Sequence, residues 1–282
     1  MNRLPLETRV RVLSALCEGV SIRAIVRMTG VSKNTIQKLL HDVGYACDAY
    51  QDKVLRNLTC RKIQADEIWS FTKCKQKNVK PEHEGELGYG DTWTWVAIDE
   101  DTKLVPCWAV GHRDTATAKF FIRDLANRLT HRIQLSTDGL KLYVEAVEDS
   151  FAGNVDYAQI IKLYGPDLQE QPRYSQPQCV GTRIKQINGF SKYRVTTSHV
   201  ERQNLTMRMH MRRFTRLTNA FSKKIENHSL AVCLHFFYYN FCRKHSSIGT
   251  TPAIAAGVTD RIWTVHDIAR LPEIVHSENL AA

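Results

Sequence analysis

The stretch "KIQADEIWSF" (62–71) decides the fold. Its β-branched and aromatic residues flank two adjacent acids, the first of them Asp66, in an otherwise buried-looking strand. Glu67 follows directly, and side-chain alternation sends it to the opposite face of the strand. Reading outward, "TWTWVAIDEDTKLVPCWAVGH" (92–112) reads as a hairpin, two apolar runs around the turn residues Asp99–Lys103. "DTATAKFFIRDLANRLTHR" (114–132) has helical periodicity, with Phe120, Phe121, Leu125 and Leu129 on the core side. "IQLSTDGL" (133–140) is a short strand that ends at Asp138 and turns at Gly139. "LYVEAVEDSFAG" (142–153) is a helix, and "YAQIIKLYG" (157–165) another strand.

The order is β-β-β-α-β-α-β, followed by a basic helix beginning near Ser198. Antiparallel strands first and crossover helices later give a mixed sheet of the ribonuclease-H-like kind, on the border of α+β and α/β. In such a sheet Asp66 and Asp138 lie on neighbouring central strands, and Glu201, from the later helix, completes a set of three carboxylates. Converging carboxylates repel unless cations neutralise them. Hard oxygen donors suit Mg²⁺ or Mn²⁺, and two such ions serve in-line displacement at phosphorus. Asp99 reads as a turn residue, and Glu145, Glu148 and Asp149 as a solvated helix face.

"SHVERQNLTMRMHMRRFTRLTNAFSKK" (198–224) carries that Glu201. Between Gln171 and Ile225 there are twelve Lys or Arg, and Glu201 is the one acid. Read as a single helix, Val200, Met207, Met211, Phe214 and Phe221 form its core stripe, with Glu201, Arg208 and Arg212 along one edge. Asn204 falls within the apolar face. Glu201 also suits a helix N-terminus, where negative charge is favoured.

The net charge of +10 points to a polyanionic partner, double-stranded DNA first among them. Three short helices are expected at 7–44. Ser21 and Ser32 are the caps of the second and third, and Gly19 and Gly30 are stops. The tight Gly30–Ser32 turn is that of a helix-turn-helix, whose last helix would present Lys33, Asn34, Thr35, Gln37 and Lys38 to the major groove. The expected organisation is then helix-turn-helix (1–44), linker (45–60), catalytic domain (61–265) with a basic insertion at about 165–198, and a C-terminal tail (266–282). Within the insertion, "RIKQINGFSKYR" (183–194) reads as a hairpin around Asn188–Gly189. That pairing puts Lys185 opposite Lys192 and Arg183 opposite Arg194, for DNA phosphates to bridge. The eight cysteines form no CxxC pair, so reduced, mostly buried thiols are expected in place of a zinc module. No apolar run is long enough to span a bilayer, and "MNRLPLETRVRVL" (1–13) lacks a signal-peptide pattern. A cytoplasmic, nucleoid-associated protein is the expectation.

"ADEIWSF" (65–71), "STDG" (136–139) and "VERQNLTMRMHMRRFTRLTNAFSKK" (200–224) together resemble the DDE transposases of small bacterial insertion sequences, particularly the IS-one type. "FYYNFCRKHSSIGTTPAIAAGVTDRIW" (237–263) is similar to that family's C-terminal element, and the resemblance covers about residues 60–265. It implies that Asp66, Asp138 and Glu201 are the catalytic, metal-binding acids. It also puts Arg208 in the place of the family's basic residue seven after the glutamate. The chain lacks the N-terminal zinc module of some relatives. The implied activity is DNA cleavage followed by 3′-OH strand transfer, in a dimer or larger assembly on DNA. Two readings stand beside it: a DNA-binding regulator with a vestigial catalytic domain, and a hydrolysis-only metal nuclease of the same fold.

Overall fold

The structure is a computed structural model that describes residues 4–165, 179–215 and 218–281. One six-stranded sheet has the order β3-β2-β1-β4-β5-β6. Its strands are β1 (Lys62–Thr72), β2 (Gly90–Asp99), β3 (Trp108–Gly111), β4 (Ile133–Asp138), β5 (Val155–Tyr164) and β6 (Cys179–Asn188). β1, β2 and β3 pair antiparallel, while β4 runs parallel to β1 and to β5. Helices α4 (Thr115–Arg128) and α5 (Leu142–Phe151) make the crossovers. This is the ribonuclease-H-like arrangement expected from the order of elements, with β6 as one strand more.

The two sheet faces bury different partners. Ala65 and Trp95 share a core with Phe121 of α4 and Tyr143 of α5. On the other face Ile68, Val96 and Ile98 pack with Val200, Met207, Met211 and Phe214, and with Val232 and Phe236 of α7 (Ile225–Phe237). Strand alternation at β1 therefore sends Asp66 toward the second layer and Glu67 toward the first.

The N-terminal helices are α1 (Leu6–Cys17), α2 (Ile22–Thr29) and α3 (Lys33–Val54). Their caps match the sequence reading. Ser21 Oγ accepts from Ala24 N, Ser32 Oγ accepts from Thr35 N, and Gly30 ends α2 at φ +71°. The expected linker at 45–60 is corrected, because α3 runs on to Val54. "YACDAYQDKV" holds no breaker, and Gly44 lets α3 lie against Leu230 of α7, where a Cβ would come within 2.7 Å of Leu230 Cβ. The expected tail at 266–282 is corrected too. Val265–Ala281 is a helix that packs on α1 and α3, and Arg9 donates to Ala269 O. Val12, Leu13, Ile36 and Leu40 share one core with Phe237, Trp263 and Ile268, so the N-terminal helices are continuous with the rest of the fold.

Two further expectations give way. The helix of Glu201, α6, spans Ser198–His210 and stops there. Met211 is extended, and a single 3₁₀ turn at Arg212–Phe214 follows. Met211 and Phe214 still reach the core, because that turn swings them back onto the sheet. Arg212 therefore leaves the strip it was expected to share with Glu201. The hairpin at 183–194 is absent: β6 pairs with β5, setting Lys185 opposite Gln159 and Arg183 opposite Ile161. Gly189 does turn, at φ +60°, but Asp156 Oδ1 captures Phe190 N, so 190–194 leave the sheet edge. Lys192 and Arg194 are then not across from Lys185 and Arg183. Residues 166–178 of the expected insertion lie outside the described residues.

Candidate active site

Asp66 is on the central strand β1, and Asp138 ends the adjacent parallel strand β4 one residue beyond the Ala65–Thr137 register pair. Parallel pairing alone brings the two carboxylates together. Asp138 Oδ1 accepts from Leu140 N at 3.0 Å, which fixes the turn after β4. Asp66, Glu67 and Asp138 each offer an oxygen, and those atoms all lie within 4.8 Å of one another. Glu67 belongs to this group although it points to the other sheet face. Its carboxylate is buried, taking Nε and Nη2 of Arg113 at 2.8 and 2.6 Å on Oε1 and Tyr143 OH at 3.2 Å on Oε2. Arg113 in turn stacks over Trp93 at 4.7 Å.

Glu201 lies in the first turn of α6 and is held by a cation. Lys162 Nζ of β5 donates to Glu201 Oε1 at 2.7 Å, and Thr197 Oγ1 donates to the same oxygen. Glu201 is not part of the tight Asp66–Glu67–Asp138 group, though its charge reaches Asp66. α6 binds Asp66 more directly through Asn204, whose Nδ2 donates to Asp66 Oδ2 at 2.8 Å. Asn204 Oδ1 is buried and has no hydrogen-bond partner among the described residues. Asn204 and Lys162 were missed as site residues. Asn204 had a signal, since it follows Glu201 by three residues and so shares its side of the helix. Lys162 had none, because its reach depends on β5 lying next to β4.

Burial first, then the charges of Glu67, Asp138 and Glu201, push the Asp66 carboxyl up to about 7. Burial and Asp138 likewise push Glu67 up to about 7, against the opposing pull of Arg113. Two acids held that high, Glu67 buried and Asp66 half-buried, describe a pocket short of positive charge. The all-oxygen donor set and the unpartnered Asn204 oxygen fit a hard divalent cation, with Asp66 and Asp138 as its holders.

The expected DNA-contacting side chains are spread over several surfaces. On α3, Lys33 and Asn34 are exposed and Gln37 half-buried. The Thr35 hydroxyl is tied to Ser32 Oγ, and Lys38 pairs with Asp42 at 2.7 Å. Lys185, Lys192, Arg194 and Arg212 are exposed, and Arg208 is half-buried on α6. Lys185 lies on the sheet face opposite Lys162, because its partner Gln159 alternates with Ile160 and Lys162. Asp99 is a turn residue as expected, accepting from the backbone N and hydroxyl of Thr102. Cys17, Cys47, Cys60, Cys107 and Cys233 are buried free thiols, while Cys179 is exposed.

Among known families, residues 88–213 match the DDE domain model DDE_Tnp_IS240, a stretch that contains Asp138 and Glu201 and stops short of Asp66. The match does not specify the IS-one type. No curated protein sequence matches the chain. Among solved structures, the chain is similar to the piggyBac transposase synaptic complex with hairpin DNA, at 11% identity and TM-score 0.41, covering 98% of this chain and 72% of that one. It is also similar to the Mos1 strand transfer complex, at 15% identity and TM-score 0.24, covering 56% of this chain and 59% of that one. At these TM-scores the likenesses carry no weight beside the family match. No helix among the described residues is long and apolar enough to cross a membrane. The segment from β2 through α6 is therefore similar to a DDE domain of the transposase kind.

Proposed function

We propose that the chain cuts DNA at the ends of a mobile element and joins those ends to a target, with Asp66, Asp138 and Glu201 as its catalytic acids. One observation carries the reading. The DDE-domain match spans the segment in which Asp138 and Glu201 lie, and the sheet sets Asp66, from outside that segment, beside Asp138. In the first step water displaces a 3′-oxygen from phosphorus and leaves a free 3′-OH. In the second, that 3′-oxygen forms a new P–O bond in the target while the target's own 3′-oxygen leaves, so bonds made and broken balance.

Bound divalent metal, Mg²⁺ or Mn²⁺ and two ions in number, would polarise the phosphoryl oxygens and activate the attacking oxygen. Asp66 and Asp138 would hold it, with Glu201 as the outer acid. Asn204 orients the Asp66 carboxylate from α6. Lys162 balances Glu201 and stands where a DNA phosphate can share its charge. The front of α3 (exposed Lys33 and Asn34, half-buried Gln37, with Thr35 and Lys38 behind their local bonds) is the proposed reader of element ends. Arg208 follows Glu201 by two turns along α6, and Arg212, Lys185, Lys192 and Arg194 add phosphate contacts on separate surfaces. Joining two ends at once calls for a dimer or larger assembly on DNA, in the cytoplasm at the nucleoid.

The test is strand transfer by the purified chain. Pre-cleaved duplex ends from the DNA flanking its gene, incubated with Mg²⁺ and plasmid, should yield joined products. Hydrolysis of the same DNA without joining would leave a nuclease and refute the proposal.

A further inference from the structure

A second charged cleft lies at the other end of the sheet. It has a volume of about 310 Å³ and is lined by Arg61, Arg132, Asp156, Lys192 and Tyr193, among others. It sits beside the start of β4 at Ile133, whereas Asp138 ends the same strand. Asp156, its one acid, is already taken, since Arg132 Nη2 and Nε reach its Oδ1 at 2.7 and 3.1 Å and Phe190 N donates to it at 3.0 Å. Asp101, near Arg61, is held by Lys62. The side chains of Arg61 and Lys192 are exposed and form no ion pair among the described residues.

The strip leading out of the cleft is aromatic as well as basic. Phe190 is 77% exposed, Tyr193 44%, and Lys62 stands over the Tyr193 ring at 5.1 Å. Gln134 clamps this strip to β4, accepting from Tyr193 N and donating to Tyr193 O. The cations are thus held in place, not carried on a free loop. Monovalent surface cations left unpaired around a concavity, with the local acid neutralised, form an anion site.

We infer that this cleft binds the phosphate backbone of duplex DNA running away from the catalytic acids. The five residue steps from Ile133 to Asp138 span about 17 Å at the rise of a strand. That corresponds to about five base pairs of duplex at 3.4 Å each, a short and straight path between the two places. Arg61 and Lys192 supply the free charges, while Arg132 is held by Asp156 and by the carbonyls of Gly153 and Val155.

The inference rests on the transposase reading, and the experiment separates the two. Binding of a 5′-labelled duplex of arbitrary sequence, about 30 base pairs long, is measured by fluorescence anisotropy over a series of KCl concentrations. Two lost phosphate contacts should lower the slope of log K against log salt by about 2 in the Arg61→Ala/Lys192→Ala variant. The charge-keeping Arg61→Lys/Lys192→Arg variant should retain the wild-type slope. Both positions are exposed, so folding is preserved, and far-UV circular dichroism verifies it. An Ala pair with the wild-type slope overturns the cleft while leaving strand transfer by the wild type untouched. A wild type that binds no duplex overturns both readings.

Discussion

Asp66→Asn removes a charge that the fold itself resists. In the folded chain the Asp66 carboxyl is pushed up to about 7, against an ordinary value of 3.8. Because the folded value is the higher one, the folded state holds a proton that the unfolded state gives up between pH 4 and 7. Stability therefore falls as pH rises through that window and levels off above it. Three units at about 1.4 kcal/mol each amount to about 4 kcal/mol by pH 8. Glu67, up at about 7 as well, shares the same repulsion, so roughly 2–4 kcal/mol belongs to Asp66. The amide keeps an oxygen for Asn204 Nδ2 and carries no charge. The variant should therefore melt about 4–8 °C higher than the wild type at pH 8 in EDTA, with little difference at pH 4. Mg²⁺ should narrow the gap by stabilising the wild type and not the variant. Thermal denaturation followed by circular dichroism at pH 4, 6 and 8, with EDTA or Mg²⁺, reads all of this. A variant no more stable than wild type at pH 8 would refute the picture of a repulsive acid cluster waiting for a cation.

Other positions make independent predictions. Gly44→Ala puts a methyl carbon 2.7 Å from Leu230 Cβ, so it should destabilise the chain by about 1–3 kcal/mol in urea denaturation. Asn240→Leu breaks the two bonds by which its buried amide holds Val105 N and O, at 3.0 and 2.9 Å. Leaving those backbone groups unpaired should cost about 2–4 kcal/mol by the same measurement. Titration of the native chain with a thiol reagent should modify the exposed Cys179 first, and buried Cys17, Cys47 and Cys107 only on unfolding.

Much of this was legible in the residues, and the failures share a cause. Local chemistry wrote the caps at Ser21 and Ser32, the stop at Gly30 and the turn at Asp99, and the structure keeps each of them. The order of strands and helices already implied Asp66 beside Asp138, and the parallel β1–β4 pairing keeps them so. What the sequence could not show was where a periodic run yields to tertiary packing. The apolar repeat of α6 continues in phase through Phe214, yet the backbone leaves the helix at Met211 to lay two side chains on the sheet. Asn188–Gly189 carries the strongest hairpin signal in the chain, but β5 offered β6 a longer ladder and Asp156 captured the backbone beyond the turn. Glu67 was rightly assigned to the far face of β1. That it still reaches the Asp66–Asp138 pair, and that Lys162 holds Glu201, depends on neighbours far apart in sequence.

The most direct measurement compares Mg²⁺-dependent strand transfer by the wild type with Asp66→Asn, Asp138→Asn and Glu201→Gln, each alongside duplex binding at fixed salt. Three variants that bind duplex like the wild type but join ends at least about a thousandfold more slowly would match three acids acting on phosphorus. A variant that joins ends at the wild-type rate would remove that acid from the site and contradict the account.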